Sequence, residues 1–480
     1  MITLTLSEIA AAVSGDVINA SENVLSINSV STDTRSIEQG DLFIALKGDA
    51  FDAHAFLPLA EKSGASVLLV SDLSQIENIS IPLIYVKDTR IALGLLSHYV
   101  KEQIKELKSV AITGSNGKTT TKEMVNAILT AFSNKKEAIL ATAGNFNNDI
   151  GVPLTLLRLT KEIKYAIVEL GANHKGEIAY TANLVQPDVA LINNVMPAHL
   201  EGFGSIEGIA QAKGEIWNSL GEQGVAVVNF DDRFASEYIA TLNENNTKIM
   251  TFSQQKQEAD VWAGDQLFDD QGRASFELGY QDKSVSVLLN LAGQHNVSNA
   301  LAAASISLAL GCDLENIAKG LNNLQSVKGR VNHQSLSRNS SIIDDTYNAN
   351  SASMKAAISL LLKCKGQHIL VLGAMGELGR DSLSEHQSVG YFAAEQNITD
   401  LLTVGEGALA ISQAFTIANG KNGLHFSCKA DLIQYLRKRV EEQQSLNNIK
   451  HLNQHLTLLV KGSRSAKMED IVNAMTRSFN

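Results

Sequence analysis

Residues 110–120 join a short β-branched run to a glycine-rich turn and read Val110-Ala111-Ile112-Thr113-Gly114-Ser115-Asn116-Gly117-Lys118-Thr119-Thr120. Glycines between a buried strand and a helix let the backbone wrap a phosphate, so that amide N–H groups and the helix N-terminus point at it. A lysine there bridges the terminal phosphates, and the hydroxyl after it ligates Mg²⁺, which are the roles expected of Lys118 and Thr119. The two glycines stand closer together than in the common phosphate loop, and a purely structural turn is the alternative. The Gly-Lys-Thr sequence favours nucleotide binding by Gly114, Ser115, Asn116, Gly117, Lys118, Thr119 and Thr120.

Outward from this loop, short apolar runs alternate with helical patterns in two long parts of the chain. The first series continues with runs at 165–168, 189–192 and 225–228. Between its first two runs, Met124, Ile128 and Phe132 recur at the spacing of a helix packed on a sheet. The second series has runs at 341–343, 369–372, 401–404 and 456–460. Two such series predict two doubly wound parallel-sheet domains.

The first hundred residues follow a different pattern, with a polar stretch from Ser31 to Gly40 and an αβ unit that ends at Val70. The charged segment from Lys101 to Lys108 is predicted to be a helix that closes this domain. A length of 480 residues also suggests three domains, at roughly 150 residues each. The predicted fold is therefore α/β, with a small N-terminal domain (1–105), a central P-loop domain (106–328) and a C-terminal Rossmann-like domain (329–480).

Composition excludes several classes of protein. The net charge of −11 argues against non-specific binding to nucleic acid or anionic membranes. Apolar residues make up 44% and charged residues 19%, as in globular rather than disordered chains. No apolar stretch is long enough to span a bilayer, and no signal peptide is visible at the N-terminus. The scattered Cys312, Cys364 and Cys428 indicate free thiols in a reducing compartment, so we expect a cytoplasmic protein.

Three further residues after the loop have chemistry suited to a metal-dependent site. Glu169 ends the strand that follows the P-loop helix, where a carboxylate is well placed to hold a metal. His199 follows the next strand, and Lys213 lies 14 positions beyond it. Taken singly, each has an ordinary alternative: a solvated loop carboxylate, a surface or capping histidine, and a solvated helix lysine.

In this order and spacing, the Gly114–Thr120 loop, Glu169, His199 and Lys213 resemble the central domain of the Mur ligases. These are ATP-dependent amide-forming enzymes of peptidoglycan precursor synthesis. The resemblance implies Mg²⁺ on Thr119, Glu169 and His199, with a carbamylated Lys213 as a further metal-binding anion. It implies catalytic roles for Lys118, Glu169, His199 and Lys213.

The resemblance extends to the nucleotide site beyond the loop. Residues 293–299, Gly-Gln-His-Asn-Val-Ser-Asn, look like the adenine-side segment of the family, and Gly329-Arg330 looks like the start of its C-terminal domain. This assigns His295, Asn296, Arg330 and Asp345 to ATP, with the arginine reaching the γ-phosphate. Without the family, His295 and Asn296 would be interpreted as helix caps, and Arg330 as a linker residue.

Other segments resemble the branch of the family that adds D-alanyl-D-alanine to UDP-N-acetylmuramoyl-tripeptide. They lie at residues 32–35, 45–48, 51–54, 144–153, 344–350 and 460–464. The substrate-binding residues that this resemblance implies are Asp33, Arg35, Lys47, Asn145, Asn148, Tyr347, Asn348, Asn350, Lys461 and Arg464. We expect these two small-molecule substrates, no nucleic acid, no membrane insertion, and a monomer.

Two positions depart from the family pattern. Ser351 stands where a proline is usual after Tyr347-Asn348-Ala349-Asn350, which costs backbone preorganisation but removes no chemistry. Ala374 stands where an acidic residue is usual, so a contact to the incoming ammonium group or to a nucleotide is either lost or passes to Glu377.

Two alternative functions remain open on the sequence. The first is another muramoyl ligase or a folylpolyglutamate-type ligase, against which the residues at 347–350 and in the first domain argue. The second is a P-loop switch that signals through a partner. The chain has no Asn-Lys-x-Asp segment for reading guanine, and its metal-binding pattern suits turnover instead.

Overall fold

The computed structural model describes residues 1–19, 25–48, 51–197, 200–325, 329–420, 423–450 and 454–479. These residues form three α/β units, each with its own sheets, so the predicted three-domain α/β fold is confirmed. The last strand of the first unit ends at Tyr85, and the second unit begins its sheet at Lys108. The second sheet ends at Ala292, and the third begins at Asn332. The boundaries near residues 106 and 329 stay predictions.

The N-terminal unit contains a five-stranded sheet of order β2-β7-β6-β5-β4 and a small β1-β3 pair. Its strands are β1 (Leu4–Thr5), β2 (Asp16–Ile18), β3 (Ser26–Ile27), β4 (Val30–Ser31), β5 (Leu42–Ile44), β6 (Val67–Val70) and β7 (Leu83–Tyr85). Its helices are α1 (Leu6–Val13), α2 (Leu57–Lys62) and α3 (Thr89–Glu102). β6 confirms the predicted end of the αβ unit at Val70.

The predicted helix from Lys101 to Lys108 is wrong. Helix α3 ends at Glu102, and Lys108 is already the first residue of a strand, paired in parallel with Tyr165. Leu107 is buried just before that strand. The charges of this segment belong to a short turn, because its few residues must cross from the first unit into the central sheet.

The central unit is built on a ten-stranded sheet of order β15-β16-β14-β13-β12-β11-β8-β10-β9, with β17 paired to β16. Its strands are β8 (Lys108–Thr113), β9 (Ile139–Ala141), β10 (Tyr165–Glu169), β11 (Val189–Ile192), β12 (Val225–Asn229), β13 (Lys248–Ser253), β14 (Val261–Ala263), β15 (Leu267–Phe268), β16 (Arg273–Tyr280) and β17 (Lys283–Ala292). Its helices are α4 (Lys118–Ser133), α5 (Gly151–Leu156), α6 (Glu177–Val185), α7 (Leu200–Phe203), α8 (Ile206–Gly214), α9 (Ala235–Glu244), α10 (His295–Ala309) and α11 (Leu314–Asn322).

The strands from β9 to β14 are parallel, as predicted, but the sheet continues into an antiparallel hairpin that the sequence analysis missed. The alternation of apolar and polar residues from Ser284 to Leu291 is the signal that could have revealed β17. The predicted P-loop helix is confirmed as α4, which buries Met124, Val125, Ile128 and Leu129 against the sheet.

The C-terminal unit has a six-stranded sheet of order β18-β19-β23-β20-β21-β22, parallel except for β18. Its strands are β18 (Asn332–Ser337), β19 (Ser340–Asp345), β20 (Gln367–Leu372), β21 (Asp400–Val404), β22 (Leu424–Phe426) and β23 (Leu456–Lys461). Its helices are α12 (Ser351–Lys363), α13 (Ser382–Glu395), α14 (Leu409–Asn419), α15 (Lys429–Lys450) and α16 (Glu469–Phe479). The second predicted βα series is confirmed.

The hydrophobic cores show how the three units are joined. One cluster of buried residues runs from Ile2 through α3 to Leu242, so the first two units share a core. The C-terminal unit buries its apolar residues on the two faces of its own sheet. Among the described residues, no helix is long and apolar enough to cross a membrane.

Candidate active site

The predicted phosphate loop lies between β8 and the N-terminus of α4, as the sequence pattern requires. Gly117 has a φ of +80°, and a Cβ at this position would lie 2.4 Å from both Asn193 Nδ2 and Asn299 Oδ1. Backbone conformation and space therefore both demand glycine here. Because Gly117 has no side chain, Asn193 and Asn299 can pack directly against the loop backbone.

Two side-chain amides, those of Asn193 and Asn194, fix the loop backbone at Asn116. Asn194 Oδ1 accepts from the Asn116 N–H at 2.9 Å, and Asn193 Nδ2 donates to the Asn116 carbonyl at 2.9 Å. Asn193 Nδ2 also donates to Asn299 Oδ1 at 2.9 Å. Asn299 in turn donates to Asn296 Oδ1 at 3.0 Å. The loop is thus preorganised by side chains from the segment that directly follows β11 and from α10, of which the sequence analysis singled out only Asn296.

Thr119 and Glu169 meet although 50 positions separate them in the sequence. The Thr119 hydroxyl donates to Glu169 Oε2 at 2.7 Å, and Asn147 Nδ2 donates to Glu169 Oε1 at 2.8 Å. The Glu169 backbone N–H also donates to Thr142 Oγ1 at 2.9 Å. A hydroxyl beside a buried carboxylate supplies the hard oxygen donors that Mg²⁺ prefers. The predicted ligand His199 lies outside the described residues.

Two lysines lie near this pair. Lys118 Nζ donates to the Gly114 carbonyl at 2.6 Å, and burial lowers the pKa of Lys118 while Glu169 opposes that shift. Lys213 is only 4% exposed, and burial, followed by the charge of Lys118, holds its pKa well below 10.5. Within the described part of the chain, no hydrogen bond or ion pair occupies Lys213 Nζ. A buried, uncharged amine is the form that can react with carbon dioxide.

Two C-terminal residues contact the loop across the domain boundary. Arg330 Nη2 donates to Thr119 Oγ1 at 2.9 Å, and the guanidinium carbon lies 4.1 Å from the centroid of the Tyr347 ring. The Arg330 Nε is buried and has no hydrogen-bond partner among the described residues. Asn350 Nδ2 donates to Asn116 Oδ1 at 2.8 Å. The predicted γ-phosphate arginine therefore reaches the loop itself.

A second charged pair lies behind these contacts in the C-terminal unit. Lys461, 3% exposed, donates to Asp345 Oδ2 at 2.6 Å and to the Asn348 carbonyl at 3.0 Å. Asp345 Oδ1 also accepts from the Val331 N–H at 3.3 Å. Lys461 thus ties the strand end at Asp345 to the segment that carries Tyr347 and Asn348.

The adenine-side residues His295 and Asn296 begin α10. The His295 side chain is exposed. Asn296 is 3% exposed and donates to the Ala292 carbonyl at 2.8 Å, while its oxygen accepts from Asn299. Both ends of this amide are engaged inside the protein, so the structure gives Asn296 a part in holding the loop.

The residues predicted to bind the UDP-sugar end make only local contacts. Arg35 Nη2 lies 2.6 Å from Asp33 Oδ2, and Lys47 Nζ lies 3.4 Å from Asp52 Oδ2, all within the first unit. Asn145 and Asn148 are exposed on the loop before α5, where Asn148 Oδ1 accepts from the Gly151 N–H at 2.8 Å. None of these side chains contacts the phosphate loop in the described residues.

A cavity of about 420 Å³ opens at the carboxyl ends of four parallel strands in the C-terminal unit. Its lining comprises Ala374, Val404, Gly405, Glu406, Gly407, Ser427, Cys428, Lys429, Ser465 and Ala466. Ala374 lines it, but Glu377 is not among the lining residues. The carboxylate that lines the cavity is Glu406, which the sequence analysis missed although it lies two residues after the end of β21. Arg464, the remaining predicted substrate residue, is exposed and pairs with Glu469 at 3.0 Å.

Family models cover most of the chain. A Mur ligase family, catalytic domain model matches residues 26–114, a Mur ligase middle domain model matches residues 112–307, and a Mur ligase, glutamate ligase domain model matches residues 329–464. The chain belongs to the Mur ligase family.

Individual relatives narrow the resemblance. The UDP-N-acetylmuramoyl-tripeptide--D-alanyl-D-alanine ligase of Escherichia coli is 44% identical over 99% of both chains. A crystal structure of MurF from Acinetobacter baumannii is 39% identical and superimposes with a TM-score of 0.89 over 99% of both chains. MurF ligase from Thermotoga maritima, solved in complex with ADP, is 25% identical with a TM-score of 0.79 over 94% of this chain and 98% of that one.

Proposed function

We propose that this chain is an ATP-dependent, ADP-forming ligase that adds D-alanyl-D-alanine to UDP-N-acetylmuramoyl-tripeptide. The observation that carries the proposal is the 44% identity, along nearly the whole chain, to a relative named for that reaction. The grouping of Lys118, Thr119, Glu169 and Arg330 supports it, because these residues suit the transfer of a phosphoryl group.

The chemistry needs an activated acid. A carboxylate is a poor electrophile, because an attacking amine would have to expel oxide. When a carboxylate oxygen of the tripeptide attacks the γ-phosphorus of ATP, the bond from that phosphorus to the β,γ-bridging oxygen breaks and ADP leaves. The amine of D-alanyl-D-alanine then attacks the acyl carbon of the acyl phosphate, inorganic phosphate leaves, and the amine loses a proton. Both reactants of the first step are anionic, so the site must neutralise charge.

The residues of the loop meet that need. Backbone N–H groups from Gly117 to Thr120, at the N-terminus of α4, would cradle the phosphates of ATP. Lys118 and Arg330 would bind the terminal phosphates, with Arg330 moving from the Thr119 hydroxyl to the γ-phosphate. His295 and Asp345 would bind the nucleoside side, and Asn296 would hold the loop in place.

Mg²⁺ fits the donor set beside the loop, because Thr119 and Glu169 present oxygen atoms within 2.7 Å of each other. Thr119 and Glu169, together with His199 and a carbamylated Lys213, would hold the metal. When bound, Mg²⁺ supplies positive charge that neutralises the phosphate oxygens. Glu169 is kept in place for this role by Asn147 and Thr142.

The two substrates would approach from opposite units. Asp33, Arg35 and Lys47, with Asn145 and Asn148 on the central unit, would bind UDP-N-acetylmuramoyl-tripeptide. The cavity beside Ala374 would take the dipeptide, with Glu406 facing its ammonium group and Arg464 its carboxylate. In the sheet, β23 lies between β19 and β20, and the cavity lies at the carboxyl ends of β20 and β21. Tyr347 and Asn348 follow β19 and Lys461 ends β23, so these residues would order the segment next to the reacting groups.

The deciding experiment is an assay of ADP release by the full-length chain. We expect release only when ATP, Mg²⁺, UDP-N-acetylmuramoyl-tripeptide and D-alanyl-D-alanine are all present, with one amide formed for each ADP. Free amino acids in place of the dipeptide should give no product. ADP release that is indifferent to the dipeptide would refute the proposed function, and amide formation with glutamate or a single amino acid would point to another ligase of the family.

We also propose that the enzyme works as a monomer in the cytoplasm. Three free cysteines, as expected in a reducing compartment, support the location, and a phosphate loop completed within one chain supports the monomer. Light scattering of the active protein should give a mass near 51.6 kDa at all working concentrations. A mass that doubles as concentration rises through the assay range would contradict it.

A further inference from the structure

One contact at the boundary between the central and C-terminal units is not explained by nucleotide or substrate binding. Asn350 Nδ2 donates to Asn116 Oδ1 at 2.8 Å, across 234 positions of sequence. Both side chains are half-buried. The contact joins the phosphate loop directly to the first turn of α12.

Each partner is fixed on its own side of the boundary. The backbone N–H and carbonyl of Asn116 are bonded to Asn194 and Asn193, which leaves its side chain free to face the C-terminal unit. Asn350 is the N-cap of α12, and its Oδ1 accepts from the Ser353 N–H at 2.9 Å. The Asn350 amide therefore uses its oxygen to begin the helix and its nitrogen to bind the loop.

The neighbouring interdomain contact competes with the proposed chemistry, whereas this one does not. Arg330 bonds to the Thr119 hydroxyl, which is also a proposed metal ligand, so that bond must break when the metal and nucleotide bind. The Asn116 side chain is not among the proposed ligands. The Asn116–Asn350 contact can persist while the phosphates are in place.

We infer that Asn116 and Asn350 form an interdomain latch that positions the C-terminal unit for the attack of the amine on the acyl phosphate. The latch rests on the proposed function. Asn350 lies within three positions of Tyr347, and Lys461 bonds to Asn348, so a fixed Asn350 also fixes this segment opposite the loop. Such a contact raises the rate of amide formation because it holds the amine and the acyl phosphate in one geometry. Asn350 is thus a positioning residue and not the direct dipeptide ligand that the sequence resemblance implies.

A double-mutant cycle separates these roles. Asn350→Ser keeps an N-cap hydroxyl but is too short to reach Asn116. Asn116→Ala removes the acceptor and leaves the three hydrogen bonds between the Asn116 backbone and the side chains of Asn193 and Asn194 intact. Each single variant should lower kcat/KM for D-alanyl-D-alanine by about 3- to 10-fold, the value of one neutral hydrogen bond. The double variant should be no worse than either single one.

Ser353→Ala is the matched control, because it removes the other half of the capping box without touching Asn116. It should lower the melting temperature while leaving the kinetics with the dipeptide unchanged. Small-angle X-ray scattering of the ligand-free protein should show a larger radius of gyration for Asn350→Ser and Asn116→Ala than for the wild type or Ser353→Ala.

Three outcomes would overturn the latch. The first is that the effects of the two substitutions multiply in the double variant. The second is that Asn350→Ser impairs use of the dipeptide while Asn116→Ala does not. The third is that neither single variant changes the radius of gyration. Failure of the wild type to release ADP in response to the dipeptide would refute the proposed function instead. The two failures are therefore distinguishable.

Discussion

At the scale of single residues, the site depends on what each polar side chain can do once it is buried. Glu169 is 3% exposed, its two carboxylate oxygens accept hydrogen bonds from Thr119 and Asn147, and its backbone N–H donates to Thr142. Lys213 has no such partner among the described residues, and its amine is pushed towards the neutral form. Burial thus leaves the Glu169 carboxylate with hydrogen-bond donors on both oxygens, whereas it lowers the pKa of the Lys213 amine.

Substitution of Lys213 tests its proposed carbamylation. Lys213→Met keeps the length and apolar stem of the side chain but removes the nucleophilic amine. We expect kcat to fall by about 100-fold or more, because one charged group that stabilises the transition state is lost. Wild-type activity should also fall when dissolved carbon dioxide is removed and return when bicarbonate is added. A Lys213→Met enzyme with normal kcat would refute the role.

The pH dependence of stability gives an independent measure of the same residue. Burial holds the pKa of the unmodified Lys213 amine well below its unfolded value of 10.5, so the unfolded chain binds more protons between the two pKa values. In that window, this residue makes the free energy of unfolding rise with pH. Lys213→Met should therefore lose this slope in denaturant titrations and be at least as stable as the unmodified wild type at neutral pH. A steeper slope in the variant would contradict the assignment.

At the scale of elements, helix ends decide the geometry at the boundary of the C-terminal unit. Ser351, which replaces the proline usual in the family, is the first residue of α12, the helical position that tolerates proline best. The preceding Asn350 has φ −133° and ψ 170°, the extended conformation that a following proline requires. The backbone conformation at Asn350 and Ser351 is therefore compatible with a proline at position 351.

Restoring the proline should stabilise the helix start. Ser351→Pro loses a hydroxyl contact to Ser388 at 3.1 Å, so Ser351→Ala is the appropriate reference. Relative to Ser351→Ala, the proline variant should raise the free energy of unfolding by about 0.4–1 kcal/mol through the loss of unfolded-state freedom. Thermal or urea unfolding of the two variants measures this difference. A proline variant less stable than the alanine variant would mean that the ring clashes with its surroundings.

The cavity beside β20 and β21 allows a test of the second departure from the family pattern. Ala374→Asp would add a carboxylate next to Glu406 in the proposed dipeptide site. The KM for D-alanyl-D-alanine should fall by about 3- to 10-fold if the ammonium binds there. Ala374→Asn, which has the same shape without the charge, should not reproduce the gain. An unchanged KM in Ala374→Asp would show that the amine does not use this position.

At the scale of the whole molecule, the first two units share one hydrophobic core, whereas the core clusters of the third unit include one residue of the central unit, Ala292. Helix α3 carries much of the junction. A Cβ at Gly94 would lie 2.2 Å from Tyr180 Oη of α6, so the two helices are in close contact there. The N-terminal and central units are expected to move together, while the C-terminal unit is held by polar contacts to the loop.

Substitution at this junction should uncouple the first unit from the second. Gly94→Ala should destabilise the protein by about 1–3 kcal/mol, as overpacking of a filled core does, and raise the KM for the UDP-linked substrate more than the KM for ATP. Adding Tyr180→Phe in the same chain removes the clashing oxygen and should recover part of the loss. Melting curves and initial rates of the single and double variants check this. Gly94→Ala with wild-type stability would show that the helices separate easily.

The order of elements and the chemistry of the phosphate loop could be predicted from local sequence patterns. The period of the apolar residues predicted both βα series, and Gly114 to Thr120 predicted the strand–turn–helix that forms, because such local patterns depend on neighbouring residues. The prediction failed at residues 101–108, where charge suggested a helix and the connection between two units required a turn. It also missed the hairpin β16–β17, which has no glycine turn to mark it.

Contacts between side chains that are far apart in the sequence depend on how the folded units pack. Arg330 reaches Thr119 across 211 positions and Asn350 reaches Asn116 across 234. Neither pairing leaves a periodic trace in the sequence, because it depends on how two separately packed units approach each other. Asn193 and Asn299, which pack against Gly117, could not be predicted for the same reason. They contact the loop only because the end of β11 and helix α10 are brought together by the fold. Local sequence thus specified the phosphate loop, and long-range packing specified which side chains from other parts of the chain contact it.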